Sequence, residues 1–229
     1  MRTVPGKPGR LDVRSISMQL LYRGVAKMPL IPTSSRYNIT LSHSKKFIWY
    51  RVAKVGTRTI LNHLKDSGVP LDVEHASWLH YPVKSFGDYF KFAFVRNPWD
   101  RVVSCWRNKV VNIGNKNFFL LPDSEAEKLQ TFEGFVDFLS RIDIENCDRH
   151  IRSQSALIDL NSVDYIGRME SFYDDASYVF KKLGLPEKEM VRRNVTSTET
   201  SYHKYYSDDL ADKVATIYRK DIQVFGYEF

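Results

Sequence analysis

The alternation of apolar and polar positions changes period several times along the chain, and each change marks an element. Phe47-Ile48-Trp49-Tyr50-Arg51-Val52 is an almost unbroken aromatic and β-branched run, the texture of a strand covered on both faces. A short loop over residues 53–57 follows, and then Ile60, Leu61 and Leu64 recur at helical spacing until Gly68 and Pro70 stop the helix. The pattern repeats from Lys91 to Val95, a second apolar strand. Immediately beyond it, Asn97 is placed to cap a helix with Pro98 in its first turn and Asp100 near its positive end. Val102, Val103, Cys105, Trp106 and Val110 give that helix a buried face. Thr131 caps another, with Phe132, Phe135, Val136 and Leu139 in helical register. Ser162–Arg168 reads as a strand, Phe172–Leu183 as a helix closed by Gly184, and Asp208–Phe225 as one long final helix. Strands alternating with helices predict an α/β fold with a central parallel sheet flanked by helices, where ligands bind at strand carboxyl ends and helix starts. Residues 1–40, with Pro5, Pro8, Pro29 and Pro32, predict a loosely packed N-terminal arm ahead of a single domain over 41–229.

Composition narrows the class. With 43% hydrophobic and 14% aromatic residues, the 229-residue chain has the makings of a well-filled core and excludes a disordered tail. Two cysteines, Cys105 and Cys147, allow one disulfide but exclude a stapled secreted scaffold. No run reaches the roughly 18 apolar residues of a membrane span, and the start lacks an apolar signal region, so a soluble, cytoplasmic protein is expected. Lys and Arg number 34 against 27 Asp and Glu, a net charge of +7, which suits a polyanionic ligand without choosing among nucleotide, nucleic acid and sulfated sugar.

Both strand-to-helix junctions are polar. The first reads Arg51-Val52-Ala53-Lys54-Val55-Gly56-Thr57-Arg58-Thr59. A helix start carries unpaired N–H groups and partial positive charge, so a loop with a glycine, hydroxyl residues and a lysine can wrap a phosphate. Lysine precedes glycine here, the reverse of the ATPase loop, in which a hydroxyl residue for magnesium follows the lysine. At the second junction, Arg96 stands at a strand end and Ser104 two helical turns further on. They can hold one phosphate between them, or Arg96 can pair with Asp100 while Ser104 packs.

Lys54-Val55-Gly56-Thr57, followed by Phe94-Val95-Arg96-Asn97-Pro98-Trp99-Asp100-Arg101-Val102-Val103-Ser104, resembles the two nucleotide-binding motifs of sulfotransferases that use 3′-phosphoadenosine 5′-phosphosulfate (PAPS), most closely the carbohydrate O-sulfotransferase branch. The resemblance extends through Asp164–Glu170 and the ending Lys220–Tyr227. It implies a P-loop-like sulfotransferase fold, with Lys54, Gly56, Thr57, Arg58 and Thr59 at the 5′-phosphosulfate and Arg96 and Ser104 at the 3′-phosphate. Lys54 would also neutralise the leaving oxygen. Ala53 replaces a usual proline and Arg58 a usual small hydroxyl residue, which leaves open whether Arg58 meets donor or acceptor.

In-line sulfuryl transfer needs a group to take the acceptor proton, and histidine is suited to it. His75, in Glu74-His75-Ala76-Ser77, is similar to the family segment carrying that histidine, with His80 second; His43, His63 and His203 are expected to be structural. Arg152 and Gln154 are expected, by resemblance, to contact the acceptor, a hydroxyl-bearing sugar or glycan. Residues 194–206 read as a loop over the site. No metal is expected, since neither zinc nor calcium ligand spacing occurs. The product would be 3′-phosphoadenosine 5′-phosphate (PAP). The rival readings are a P-loop phosphoryl-transfer kinase, which the lysine order opposes, and a basic nucleic-acid-binding module, which lacks a readout motif. No specific nucleic acid is expected as partner, and the oligomeric state stays open.

Overall fold

A computed structural model describes residues 13–112, 117–186 and 202–229. In chain order the elements are α1 (Val13–Val25), β1 (Tyr37–Ser42), β2 (Phe47–Tyr50), α2 (Thr57–Asp66), β3 (Val73–Leu79), β4 (Phe90–Val95), α3 (Pro98–Trp106), α4 (Asp123–Lys128), α5 (Phe132–Ser140), β5 (Tyr165–Arg168), α6 (Phe172–Lys182), α7 (Asp208–Ile217) and α8 (Arg219–Phe225). A single domain is expected over 41–229; the described residues group into two compact units, each assembled from sequence-distant pieces.

The first unit comprises residues 13–95 and 157–186. Its sheet has the order β3-β1-β2-β4-β5. β2, β4 and β5 run parallel, whereas β1 is antiparallel to both β2 and β3. The sheet is therefore mixed: the expected parallel part is β2, β4 and β5, and β1 and β3 add an antiparallel side. The four residues from His43 to Lys46 are too few for a crossover, so they can join β1 and β2 only as an antiparallel hairpin. Phe47, Trp49, Phe92 and Phe94 are fully buried, as the apolar runs require.

Part of the expected arm is structured. α1 packs on β3, with Arg14 Nε donating to Asp72 Oδ1 at 2.8 Å and the Glu74 N–H donating to Ser15 Oγ at 3.1 Å. Tyr22 is buried and its hydroxyl meets His43 Nε2 at 2.9 Å, while Nδ1 of that ring meets the Tyr89 hydroxyl at 2.7 Å. Residues 1–12 lie outside the described ones.

The second unit comprises residues 96–112, 117–156 and 202–229. α3, α5 and α7 pack on one another around Val102, Phe135, Val136 and Val214. The Asn97 and Thr131 caps form as expected, accepting from the N–H groups of Trp99 and Gly134. α3 continues into a π-helical turn over Arg107–Val111. The expected long final helix is broken at Tyr218, a buried residue whose hydroxyl donates to the Ile151 carbonyl at 2.6 Å. Cys105 and Cys147 are buried and are not joined in a disulfide. Among the described residues, no helix is long and apolar enough to cross a membrane.

Candidate active site

At the β2–α2 junction, in the first unit, the chain turns twice through left-handed backbone. Lys54 has φ 75° and Gly56 has φ 71°. Two such residues within three turn the loop back over the helix start, and α2 opens at Thr57 with no acidic residue in its first turn. The Thr57 hydroxyl donates to the Val52 carbonyl at 2.9 Å, closing the loop on itself. Arg58 and Thr59 are exposed on the first turn, and Lys54 is half-buried. The junction thus concentrates two cationic side chains at the positive end of a ten-residue helix, an environment suited to a multiply charged oxyanion.

The second junction belongs to the second unit. Arg96 Nε and a terminal nitrogen both reach Asp100 Oδ2, at 2.8 and 2.7 Å, so the pairing with Asp100 read as one alternative from the sequence is made. Ser104 is half-buried on α3. The backbone of Arg96 is held as well. Gln154 Oε1 accepts from the Arg96 N–H at 2.9 Å and Nε2 donates to the Arg96 carbonyl at 2.8 Å. The fully buried Asp221 accepts from the N–H groups of Gln154 and Ser155 at 2.7 and 2.8 Å. Arg152, also buried, donates through Nε and a terminal nitrogen to the Cys147 carbonyl. Arg152 and Gln154, expected to contact the acceptor, are both engaged with backbone inside the unit, Gln154 at 0% exposure. The ending of the chain has its reason here as well: Asp221 holds this loop, and Asn97 Nδ2 donates to the Glu228 carbonyl at 2.9 Å.

His75 lies on β3, at the sheet edge, with its side chain about half exposed. A terminal nitrogen of Arg51 approaches Nδ1 at 2.7 Å, and Glu74 Oε1 lies 3.2 Å from Nε2. A guanidinium can only donate, so Nδ1 accepts and the neutral ring carries its proton on Nε2, toward Glu74. Arg51, which sequence reasoning did not single out, is buried, also donates to Thr40 Oγ1 and the Glu74 carbonyl, and stacks over Trp49 at 4.8 Å. His80 is held the opposite way: Nδ1 donates to the Ser34 carbonyl at 2.6 Å and Nε2 accepts from Arg36 at 3.0 Å. Of the expected covering loop, residues 194–201 lie outside the described ones; within 202–206, His203–Tyr205 form a short 3-10 turn. No group of three or more potential metal ligands occurs among the described residues.

Both junctions lie where strands of an α/β fold end and helices start, the places at which such folds bind ligands. The chain matches the model of the sulfotransferase family over residues 37–228, and it belongs to that family. It is 23% identical over 210 residues to carbohydrate sulfotransferase 10 of Xenopus laevis, covering 77% of this chain and 57% of that protein. Carbohydrate sulfotransferase 11 of Rattus norvegicus is 25% identical over 167 residues, 61% of this chain and 47% of that one. An uncharacterized protein of Archaeoglobus fulgidus is 34% identical over 124 residues, 53% of this chain and 88% of its own length. The chain therefore spans about half the length of the two carbohydrate sulfotransferases. No solved structure matches.

Proposed function

We propose that this protein transfers the sulfuryl group of PAPS to a hydroxyl of a carbohydrate acceptor, with a histidine taking the acceptor proton. The observation that carries the reading is the β2–α2 junction, where two left-handed residues, Lys54 and Gly56, bring a lysine to a helix start free of acidic residues. Lys54, Gly56, Thr57, Arg58 and Thr59 would hold the 5′-phosphosulfate, and Arg96 with Ser104 the 3′-phosphate. The donor supplies the activated S–O bond. Transfer forms a bond from the acceptor oxygen to sulfur and breaks the bond from sulfur to the phosphate oxygen, which leaves with the electron pair as PAP. Lys54 gains most as that charge develops. The sugar acceptor rests on the carbohydrate sulfotransferases among the relatives.

Calorimetry with PAP and adenosine 5′-phosphate tests the donor site. PAP should bind the more tightly, because charge-assisted hydrogen bonds to the 3′-phosphate are worth about 1.5–3 kcal/mol each. Arg96→Ala should weaken PAP about 10- to 100-fold and adenosine 5′-phosphate far less. Equal affinities for the two nucleotides in the unaltered protein would remove the 3′-phosphate assignment.

A further inference from the structure

The edge strand that carries His75 pairs irregularly with its neighbour. Val73, Ala76 and Leu79 of β3 lie opposite Leu41, Ile39 and Tyr37 of β1, so each interval on β3 holds one residue more than the interval it faces. His75 falls in the first interval and Trp78 in the second. The second is also strained: Trp78 has φ 60°, a left-handed backbone that glycine and asparagine adopt readily and a bulky residue rarely does. The side chain placed in this way is 47% exposed, whereas Trp49 and Trp99 are buried. A single exposed tryptophan is ordinary on a protein surface. One kept at the surface against its backbone preference calls for a reason, and burial does not supply it.

The register shows what Trp78 lies beside, all of it within the first unit. Its interval on β3 faces Ile39–Tyr37, and the carbonyl of Asn38, between those two, accepts from the Arg51 N–H at 2.7 Å. Trp78 is therefore level with Arg51, at the carboxyl end of β2, where the chain enters the Lys54 loop. Two strand spacings, roughly 10 Å, separate β3 from β2. The Arg51 side chain bridges part of that gap to reach Nδ1 of His75 at 2.7 Å. In a regular strand His75 and Trp78, three residues apart, would face opposite sides, and the extra residue breaks that alternation.

We infer that Trp78 is the platform on which a sugar ring of the acceptor stacks, and so a residue that selects the acceptor. The inference rests on the sulfuryl-transfer reading above and deepens it. An indole suits this ligand. The C–H groups on one face of a pyranose make an apolar, slightly positive surface, and the face of an aromatic ring carries negative π charge. Stacking leaves the hydroxyls at the rim of the sugar free to react. The same role accounts for the strain, because a bulge that gives up backbone stability leaves an exposed indole at the end of the sheet where the anion loop begins.

The test uses the full chain with PAPS as donor, methyl glycosides of neutral and acidic sugars as acceptors, and PAP release as readout. Trp78→Ala should raise KM for the best glycoside about 10-fold, with kcat and PAP affinity little changed, and Trp78→Phe should recover most of that loss. Open-chain alditols, which have no ring face to stack, should react as poorly with the unaltered protein as with Trp78→Ala. An unchanged glycoside KM in Trp78→Ala overturns the inference. Trp78→Gly separates binding from folding: glycine accepts the left-handed backbone, so the urea midpoint should be no lower than in the unaltered protein while the glycoside KM rises as in Trp78→Ala. A midpoint that falls together with PAP affinity would make Trp78 structural and also overturns it. A second arm needs no turnover. In ¹⁵N spectra of the unaltered protein, the indole N–H signal of Trp78 should move on titration with the methyl glycosides and stay still with the alditols; no movement with any glycoside overturns the inference. Failure of the sulfuryl-transfer reading would look different, as absence of PAP release by the unaltered protein with every acceptor.

Discussion

Replacing Gly56 by alanine tests the cradle through its stability. The residue has φ 71° and ψ 16°, a left-handed conformation that costs an L-residue about 1–2 kcal/mol. The added methyl would also lie 2.5 Å from Cε2 and 2.9 Å from Cζ of Phe172. That ring cannot swing clear without leaving the core, because Phe172 is buried at the start of α6 and packs on Phe94 at a centroid distance of 5.5 Å. Forcing it aside costs a further 1–3 kcal/mol or so. Together the terms predict a loss of about 2–5 kcal/mol, a large part of the stability of an ordinary domain. Gly68→Ala separates them, since Gly68 has φ 68° but nothing within 4 Å of a built methyl, and it should lose only the conformational part. Urea unfolding of both variants, read as a fall in midpoint at constant m, measures the difference. If Gly56→Ala is no less stable than Gly68→Ala, Phe172 does not pin the loop and the argument for a rigid cradle falls. If it is destabilised but binds PAP normally in the folded range, the loop is structural and does not hold the donor.

Lys54→Ala should lower both PAPS affinity and the rate of transfer, because the lysine meets the donor and gains as the leaving oxygen charges; a change in KM alone would restrict it to binding. Turnover should survive EDTA, since Val55, not a magnesium-binding hydroxyl residue, follows the loop lysine; loss of activity restored by Mg²⁺ would favour phosphoryl transfer. Burial pushes the Cys147 thiol up to about 11. The unfolded chain, with a thiol value of about 8.5, gives up that proton first, so this contribution to stability is complete below about pH 8.5 and is lost as pH rises toward 11. Urea midpoints between pH 8 and 10 should fall more steeply for the unaltered protein than for Cys147→Ala, and parallel curves would show that the thiol titrates freely.

The two junctions were legible in the sequence because strand period, helix period and caps are local. The run Phe47–Val52, apolar except at Arg51, reads as a buried strand before a glycine loop, and Asn97 and Thr131 cap the helices they precede. β1 carried a readable signal in the alternation of Tyr37, Ile39 and Leu41, but it was hidden inside a segment judged by its prolines. The mixed pairing of the sheet was not readable, because a strand's neighbours are set by packing between distant segments. Site chemistry divides along the same line. A lysine two residues before a glycine, read together with the second motif, pointed to an anion loop from sequence, whereas a histidine's usefulness depends on which partner reaches which nitrogen. Arg51 lies 24 residues from His75 in the chain and determines its tautomer only because β1, β2 and β3 pair side by side. Gln154 likewise looked like a ligand contact in sequence, and its burial against Arg96 was decided by Asp221, which is 67 residues away. Local periodicity follows from the bond geometry of one segment; the state of a polar side chain follows from what the fold brings within 3 Å of it.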